Sequence, residues 1–274
     1  MKCFFHRSDL DGICSGAIVQ KRYPSCTMIG FDYEDEFLFE RLNPKELVIF
    51  VDISLSSENM IRLFKSDIKV IWIDHHHSAL LDAEKGGYTK IRGLRRTGVG
   101  ACELTWRYFF ETPIPRSVQL LSQYDVWNHK DPEVVPFYCG LNSLGLSVYS
   151  NLWAKLFEDA NIEYTIRTGR KILLYIKSAA KKTFTLLMYK QSWYDLSAVF
   201  VNTCILDSMF YMFLPESNLL KSDIIVSYYR RNDKKYKVSI RAHKSSVDVS
   251  KIAKAYGGGG HKSAAGFICD ELPF

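Results

Sequence analysis

The chain has 274 residues, of which 47% are apolar and 24% are charged, and its formal net charge is +6. This ordinary globular composition excludes a disordered or collagen-like protein. At roughly 150 residues per domain, the length predicts about two domains that each bury a core of their own. Residues 1–150 hold 19 acidic and 17 basic side chains, and residues 151–274 hold 11 and 19. On charge alone, a solvated basic face is preferred over a polyanion-binding half.

Hydrophobic runs and cysteines bound the cellular setting. The apolar runs are far shorter than the roughly 18 residues that a membrane span needs, so we expect a soluble, cytoplasmic protein with no membrane partner. The seven cysteines are scattered singly, without a Cys-x-x-Cys pair. Such cysteines favour reduced, mostly buried thiols over a disulfide framework or a zinc knuckle.

The first 80 residues alternate short apolar runs with helical patterns. Strands are predicted at residues 2–5, 27–31, 47–52 and 70–74, and helices at 12–23 and 57–66. This alternation predicts an α/β domain with a mostly parallel sheet and helices on both faces. The runs at 47–53 and 68–73 are nearly uninterrupted in hydrophobicity, as expected for strands buried on both sides.

Later segments are first helical and then mixed. Helices are predicted at residues 98–110, 116–123 and 162–190, strands at 198–201, 223–230 and 235–242, and a short helix at 249–256. We therefore predict an N-terminal α/β domain over 1–150, a helical linker over 151–194 and a smaller α+β domain over 195–274.

Acidic and histidine residues follow the predicted strands. They are His6, Asp9 and Asp11 after the first strand, Asp52 at the end of VIFVD, and Asp74, His75 and His76 at the end of VIWID. The carboxyl ends of parallel strands share one edge of a sheet, so these side chains would converge, as in a metal site. Imidazole with carboxylate suits Mn, Zn or Fe better than calcium. Taken singly, helix capping and a solvated strand end remain alternatives.

Five segments carry a resemblance to a known family. They are HRSDLDG (6–12), VDIS (51–54), IDHH (73–76), YDVW (124–127) and GGGGHKSAAGF (257–267). In this order they resemble the DHH phosphoesterase superfamily with its associated C-terminal domain. The resemblance implies a metal-binding catalytic domain followed by a substrate-binding domain. It also implies two divalent cations, Mn²⁺ first and Mg²⁺ or Co²⁺ as alternatives, and hydrolysis of phosphodiester or phosphoanhydride bonds.

The resemblance also implies roles for single residues. The implied metal ligands are His6 and Asp9 on one cation, Asp11, His75 and Asp125 on the other, and Asp52 between them. The implied catalytic residues are His76, which faces the substrate phosphate, and Asp74, which orients its neighbours.

The glycine run predicts a phosphate-binding loop. Gly258, Gly259 and Gly260 lack a Cβ, so their backbone can approach phosphate oxygens, and His261 adds a side-chain donor. A flexible linker is the alternative for this run. Arg241 resembles a family arginine that holds the substrate phosphate, and a surface ion pair is its alternative.

The leading functional hypothesis is a two-metal phosphodiesterase that hydrolyses short oligonucleotides or single-stranded nucleic-acid ends to mononucleotides, with short RNA, DNA or nucleotides as substrate. Hydrolysis of pyrophosphate, polyphosphate, or cyclic or linear dinucleotides is an alternative with the same metals. A non-catalytic nucleic-acid-binding module is the alternative from another class. The clustered carboxylates argue against that module, because they would repel phosphates unless metals were bound. A homodimer is a further expectation left open.

Overall fold

The computed structural model describes residues 1–204, 213, 222–260 and 262–274. The chain divides into two compact units, Met1–Leu173 and Leu174–Phe274. No helix among the described residues combines the length and the apolar character that a membrane crossing requires.

The first unit is built on a four-stranded parallel sheet. Its strands are β1 (Lys2–His6), β2 (Thr27–Phe31), β3 (Leu47–Val51) and β4 (Lys69–Ile73). Their order is β2-β1-β3-β4, and every neighbouring pair is parallel. Because all four strands run the same way, their carboxyl ends lie at one edge of the sheet.

Helices connect and follow these strands. They are α1 (Leu10–Arg22), α2 (Ser57–Lys65), α3 (His77–Gly86), α4 (Ala101–Phe109), α5 (Arg116–Asp125), α6 (Val134–Asn142) and α7 (Leu152–Leu156). The longer α8 (Ile162–Leu187) begins in the first unit and ends in the second.

Both faces of the parallel sheet are buried. On one face Phe50 packs in a cluster with Met60 of α2 and Ala79 of α3. On the other face Val51 packs with Leu104 of α4. Successive side chains of a strand point to opposite faces, so an unbroken apolar run such as LVIFV fills two cores at once. Each fully buried large apolar side chain contributes about 1.5–3 kcal/mol to stability.

The second unit carries a mixed sheet and a short helix. Its elements are β5 (Met188–Trp193), β6 (Leu196–Asn202), β7 (Ile224–Arg230), β8 (Tyr236–Ala242), α9 (Val249–Ala255), β9 (Gly259–Gly260) and β10 (Ala264–Cys269). The order is β5-β6-β7-β8-β10-β9, and β6 and β7 are the parallel pair. Its core joins Phe200, Val226, Ile252 and Phe267.

The predicted fold class is confirmed: a parallel α/β sheet is followed by helices and then by a mixed-sheet α+β unit. One predicted element is wrong at its end. The helix predicted over 162–190 stops at Leu187, and Met188–Trp193 forms strand β5. Met188 pairs with Val201 of β6 in an antiparallel register, so sheet pairing outweighs the helical spacing of the preceding residues.

Candidate metal centre

The candidate site of the first unit lies where the parallel strands end. His6 is the last residue of β1, and Asp52 directly follows β3. Asp74, His75 and His76 directly follow β4. The structure thus brings side chains from distant parts of the sequence to the carboxyl edge of the sheet.

One group of potential ligands joins β1, α1 and β3. His6 Nδ1 lies 2.8 Å from Asp9 Oδ2 and 3.4 Å from Asp52 Oδ2. Asp9 is also the N-cap of α1, because its Oδ1 accepts a hydrogen bond of 2.9 Å from the Gly12 N–H. Capping and membership of the group are compatible, since each uses a different oxygen of the carboxylate.

A second group contains Asp11, His75 and Asp125. His75 Nε2 lies 3.2 Å from Asp125 Oδ2 and 3.8 Å from Asp11 Oδ2. The same nitrogen lies 3.2 Å from Asp52 Oδ1. Asp52 therefore stands between the two groups, with Oδ1 toward His75 and Oδ2 toward His6. Within each group the potential ligand atoms lie within 4.8 Å of one another, and a third such group consists of Asp52, His75 and His76.

Asp11 is held in place by the start of α4. Its carboxylate accepts hydrogen bonds from the backbone N–H groups of Ala101, at 2.6 Å, and Cys102, at 2.9 Å. These are the first two residues of α4, and the N-cap Gly100 offers no side chain. Asp11 therefore satisfies donors that the helix leaves open and places negative charge at its positive end.

The residues fit a divalent cation. Asp52 is 1% exposed, and both of its carboxylate oxygens are buried without a hydrogen-bond partner in the described part of the chain. His6 Nδ1 is likewise buried without a hydrogen-bond partner among the described residues, although carboxylate oxygens of Asp9 and Asp52 lie nearby. Unpaired buried polar groups cost about 1–3 kcal/mol each. A cation coordinated by oxygen and imidazole nitrogen would satisfy all three atoms.

The electrostatics of the centre point the same way. Burial, reinforced by the Asp11 and Asp9 carboxylates, raises the pKa of Asp52 well above its ordinary value. Burial and the nearby Asp11 likewise raise the pKa of Asp125 to about 8. Burial disfavours the charged form of His6, but the adjacent Asp52 and Asp9 outweigh it and raise the pKa of His6 to about 10. Without cations, the site retains protons that bound metals would displace.

Asp74 orients the two histidines that follow it. Its Oδ1 accepts hydrogen bonds from the backbone N–H groups of His75, at 2.7 Å, and His76, at 3.0 Å, and lies 2.7 Å from His76 Nδ1. Its Oδ2 accepts a hydrogen bond of 3.1 Å from the Trp72 indole. Because Nδ1 of His76 is engaged by Asp74, Nε2 is the nitrogen left for another ligand.

Two residues at this edge were missed by the sequence predictions. Asp32 directly follows β2, and its Oδ1 lies 3.9 Å from His6 Nε2. The ring centre of Tyr33 lies 5.8 Å from that of His6 and 6.1 Å from that of His76, although the side chain is 56% exposed. The available signal was their position directly after a predicted parallel strand.

The predicted phosphate-binding residues lie in the second unit. Arg241 is in β8, where it pairs with Ala264 of β10. Gly259 and Gly260 form the short strand β9, and Gly259 pairs with Gly266. His261 lies outside the described residues. These residues belong to a different unit from the metal centre, and their role stays a prediction.

Packing accounts for two of the three glycines. A Cβ on Gly258 would lie 2.2 Å from the Gly266 carbonyl oxygen. A Cβ on Gly260, whose φ is +137°, would lie 2.5 Å from Ala265 Cα. A Cβ on Gly259 would meet nothing within 4 Å. Gly258 and Gly260 are therefore required by close backbone approach, and Gly259 has open space beside it.

An α/β unit with imidazoles and carboxylates at one sheet edge, followed by a mixed-sheet unit, is an architecture suited to a metal-dependent hydrolase. Residues 3–114 match the DHH family N-terminal domain, and residues 206–272 match the DHHA1 domain. The chain belongs to the DHH phosphoesterase superfamily, whose members are hydrolases of phosphoester or phosphoanhydride bonds. The resemblance carried by the sequence motifs is confirmed.

Individual relatives were found by sequence and by structure. The chain is 29% identical over 248 residues to the uncharacterized protein R106 of Acanthamoeba polyphaga mimivirus, covering 83% of this chain and 55% of R106. The chain thus spans about half the length of this curated relative. The pGpG-specific phosphodiesterase PggH of Vibrio cholerae has a TM-score of 0.57 at 13% identity, covering 98% of this chain and 92% of PggH. An exopolyphosphatase-related protein of Bacteroides fragilis has a TM-score of 0.45 at 12% identity, covering 100% of this chain and 86% of its own. The likeness to PggH supports the fold alone.

Proposed function

We propose that the chain is a two-metal phosphodiesterase that hydrolyses short oligonucleotides or single-stranded nucleic-acid ends to mononucleotides. The observation that carries the proposal is the position of Asp52. Its two oxygens, which have no hydrogen-bond partner among the described residues, face two separate groups of His and Asp side chains. A carboxylate so placed is suited to bridge a pair of cations, as two-metal hydrolysis of phosphate esters requires.

The proposed ligands divide between the two groups. His6 and Asp9 would hold one cation, Asp11, His75 and Asp125 would hold the other, and Asp52 would be shared by both. Mn²⁺ is the proposed metal, with Mg²⁺ or Co²⁺ as alternatives. When bound, the cations supply positive charge at the attacking and leaving oxygens and lower the pKa of water.

His76 and Asp74 are the proposed catalytic residues. Burial disfavours the charged form of His76, but the hydrogen bond to Asp74 outweighs it and raises the pKa of His76. A His76 ring that carries a proton on Nε2 can donate a hydrogen bond from this nitrogen to a phosphate oxygen. Asp74 keeps the ring in this orientation while its second oxygen stays bonded to Trp72. These two residues would stabilise charge as it develops on the phosphate.

The second unit is proposed to bind the substrate phosphates. Arg241 would pair with a phosphate through its guanidinium group, and the backbone of Gly258, Gly259 and Gly260 together with His261 would add donors. The open space beside Gly259 and the basic excess of residues 151–274 support this role.

Dinucleotide hydrolysis is the second candidate, and the site supports it equally well. The exposed ring of Tyr33 beside His6 and His76 offers a surface on which a nucleobase could stack. PggH is described as specific for a dinucleotide, pGpG. Hydrolysis of pyrophosphate or polyphosphate needs the same metals and makes no use of that ring.

A substrate panel tests the proposal. The protein is incubated with Mn²⁺ and with pAp, pApA, a labelled 5-mer, a labelled 20-mer, cyclic di-AMP and pyrophosphate, and turnover is compared, with EDTA as the control. We expect the highest kcat/KM for the 5-mer, whereas the highest kcat/KM for pApA would favour dinucleotide hydrolysis. Turnover of pyrophosphate alone would overturn the nucleic-acid assignment. Equal binding of an oligonucleotide with and without EDTA, without hydrolysis, would indicate the non-catalytic module.

A further inference from the structure

A pocket lies at the end of the parallel sheet that is opposite to the metal centre. It has a volume of about 500 Å³, and its lining includes the cations Arg22, Lys69 and Arg92 and the rings of Tyr23, Tyr108 and Phe109. Apart from Arg92, which lies between α3 and α4, the lining residues come from the start of β3, the first half of β4 and the carboxyl ends of α1 and α4. At about 3.3 Å per residue, the length of β3 separates the pocket from Asp52 by on the order of 15 Å. None of the lining residues belongs to the metal centre.

The charge of this pocket is of one sign. Arg22, Lys69 and Arg92 contribute three cations, and no carboxylate lines the pocket. The three side chains are exposed, and none forms an ion pair within the described residues. The neighbouring Glu46 is already engaged, by the Met1 ammonium group at 3.3 Å and by Lys2 at 3.3 Å. The positive charge of the pocket is therefore available to an anion.

Helix ends account for part of this charge but not for all of it. Arg22 lies in the last turn of α1, where a basic residue favourably meets the negative end of the helix dipole. Lys69 begins a strand, and Arg92 lies beside Ile71 in an isolated bridge. Lys69 has no helix end beside it, whereas Arg92 lies near Tyr108 in the last turn of α4, so Lys69 is the cation of the three that no helix end accounts for.

Aromatic rings form the other part of the pocket wall. The ring centres of Tyr23 and Phe109 lie 5.7 Å apart in an edge arrangement, and those of Tyr108 and Phe109 lie 4.9 Å apart. The guanidinium of Arg92 lies 5.9 Å from the Tyr108 ring centre. The pocket wall therefore combines cationic side chains with aromatic rings.

From these observations we propose that the pocket binds a nucleoside monophosphate. The phosphate would pair with Lys69 and Arg92, and the base would stack on the aromatic wall. The volume lies within the range of about 300–1,000 Å³ that is typical of small-ligand sites. The pocket would bind this ligand whether or not the chain hydrolyses phosphodiesters. The helices α1 and α4 end at the pocket and begin near Asp9, Asp11 and the backbone amides that bond to Asp11. The ligand would therefore occupy a site distinct from the metal centre.

Isothermal titration calorimetry with AMP tests the proposal. EDTA is present throughout, so that the metal centre, left with its carboxylates and no cations, repels the phosphate. The wild-type chain is compared with Lys69→Ala/Arg92→Ala and with the control Lys65→Ala/Arg167→Ala. The control removes two exposed cations of the same unit that lie outside the pocket. All four substituted side chains are exposed, and thermal melting verifies that both variants are folded.

We expect the pocket variant to bind AMP at least about tenfold more weakly than wild type, and the control to stay within about twofold. Adenosine and inorganic phosphate, which each lack half of the ligand, are expected to bind at least about tenfold more weakly than AMP. The proposal is overturned if AMP does not bind at millimolar concentration. It is likewise overturned if the pocket variant and the control variant bind AMP with equal affinity. It is also overturned if phosphate binds as tightly as AMP, since the base would then make no contact.

Discussion

Asp52 combines a buried, unpartnered carboxylate with a left-handed backbone, at φ +60°. Each feature is unfavourable by itself, and a coordinated cation would compensate the first. We expect Asp52→Asn, which keeps the shape and tolerates this φ, to lower Mn²⁺-dependent hydrolysis at least about a thousandfold. In EDTA its melting temperature should equal or exceed that of wild type, because burial disfavours the charged form of Asp52 and the amide carries no charge.

The measurements are turnover of pApA and thermal unfolding with and without Mn²⁺. Wild type should be stabilised by Mn²⁺ and Asp52→Asn should not, since a ligand stabilises only the state that binds it. Near-normal turnover by the variant would show that Asp52 is not a metal ligand.

Tyr33 separates base-dependent from base-independent hydrolysis. If its ring stacks a nucleobase, Tyr33→Leu should raise KM for pApA about five- to tenfold, a lower-end value for base stacking, and leave KM for pyrophosphate unchanged. Tyr33→Phe keeps the ring and should behave like wild type. Tyr149→Leu removes a tyrosine of similar exposure, at 60%, and is the matched control. Equal effects of Tyr33→Leu on both substrates would contradict stacking.

At the scale of single residues, sequence could predict the set at the strand ends because motif and topology agree there. His6 and Asp52 stand at the ends of recognisable apolar runs, and the resemblance adds Asp125 from a helix that periodicity alone does not connect to the sheet. Tyr33 was not predicted because exposed tyrosines are common in sequences. Its neighbours, His6 at the end of β1 and His76 after β4, come close to it only in the folded sheet. The amides of Ala101 and Cys102 that hold Asp11 leave no mark in side-chain patterns.

The turn into β9 offers a test at the scale of elements. Gly258→Ala places a methyl group against the Gly266 carbonyl oxygen, whereas Gly259→Ala meets open space. We expect Gly258→Ala to destabilise the protein by about 1–3 kcal/mol, as overpacking does. Gly259→Ala should stay within about 0.5 kcal/mol. Chemical denaturation followed by fluorescence measures both. If Gly259→Ala nevertheless weakens pApA hydrolysis, the glycine run contacts substrate; two equally stable variants would contradict the packing argument.

An ion pair connects the start of α5 to the loop before α6. Glu133 donates its backbone N–H to Asp131 Oδ1 at 2.9 Å, and Arg116 pairs with the other oxygen of Asp131. The hydrogen bond from the Glu133 N–H is the main cause that lowers the pKa of Asp131 below its ordinary value of 3.8. The Arg116 guanidinium lowers this pKa further. A lowered native pKa gives stability that is present above the unfolded pKa and lost as pH falls through the native one.

Asp131→Asn should therefore melt at a lower temperature than wild type at pH 7, and the difference should shrink below about pH 4. Thermal unfolding by circular dichroism between pH 7 and pH 3 measures this. Glu103, which pairs with the exposed Arg107 one turn later in α4, provides the control Glu103→Gln. A constant difference down to pH 3 would show that the carboxylate charge contributes nothing.

At the scale of elements, sequence predicts a strand best where an apolar run is continuous. The buried strands β3 and β4 are continuous apolar runs, and their positions follow from hydrophobicity alone. Strand β5 was mistaken for the end of a helix, because MYKQSW is mostly exposed and its strand form depends on pairing with β6. Such pairing is non-local and cannot be seen within one window of sequence.

For the molecule as a whole, the distribution of charge sets the final prediction. The first 150 residues carry slightly more acid than base, and the remaining residues carry the basic excess. Two divalent cations in the first unit would reverse the sign of its balance, so both halves would attract a polyanion. Attraction of this kind is screened by salt and grows with the number of phosphates contacted.

Raising the salt from 50 to 300 mM should therefore increase KM for a labelled 5-mer several-fold, and by a smaller factor for pApA, while kcat changes little. Steady-state kinetics at constant Mn²⁺ and pH measure the two slopes. The slope difference should narrow when Arg241 is replaced by Gln, if this residue contacts a phosphate that pApA does not reach. Identical slopes for the 5-mer and pApA would mean that only the phosphates at the metal centre are bound. Dinucleotide hydrolysis would then become the preferred function.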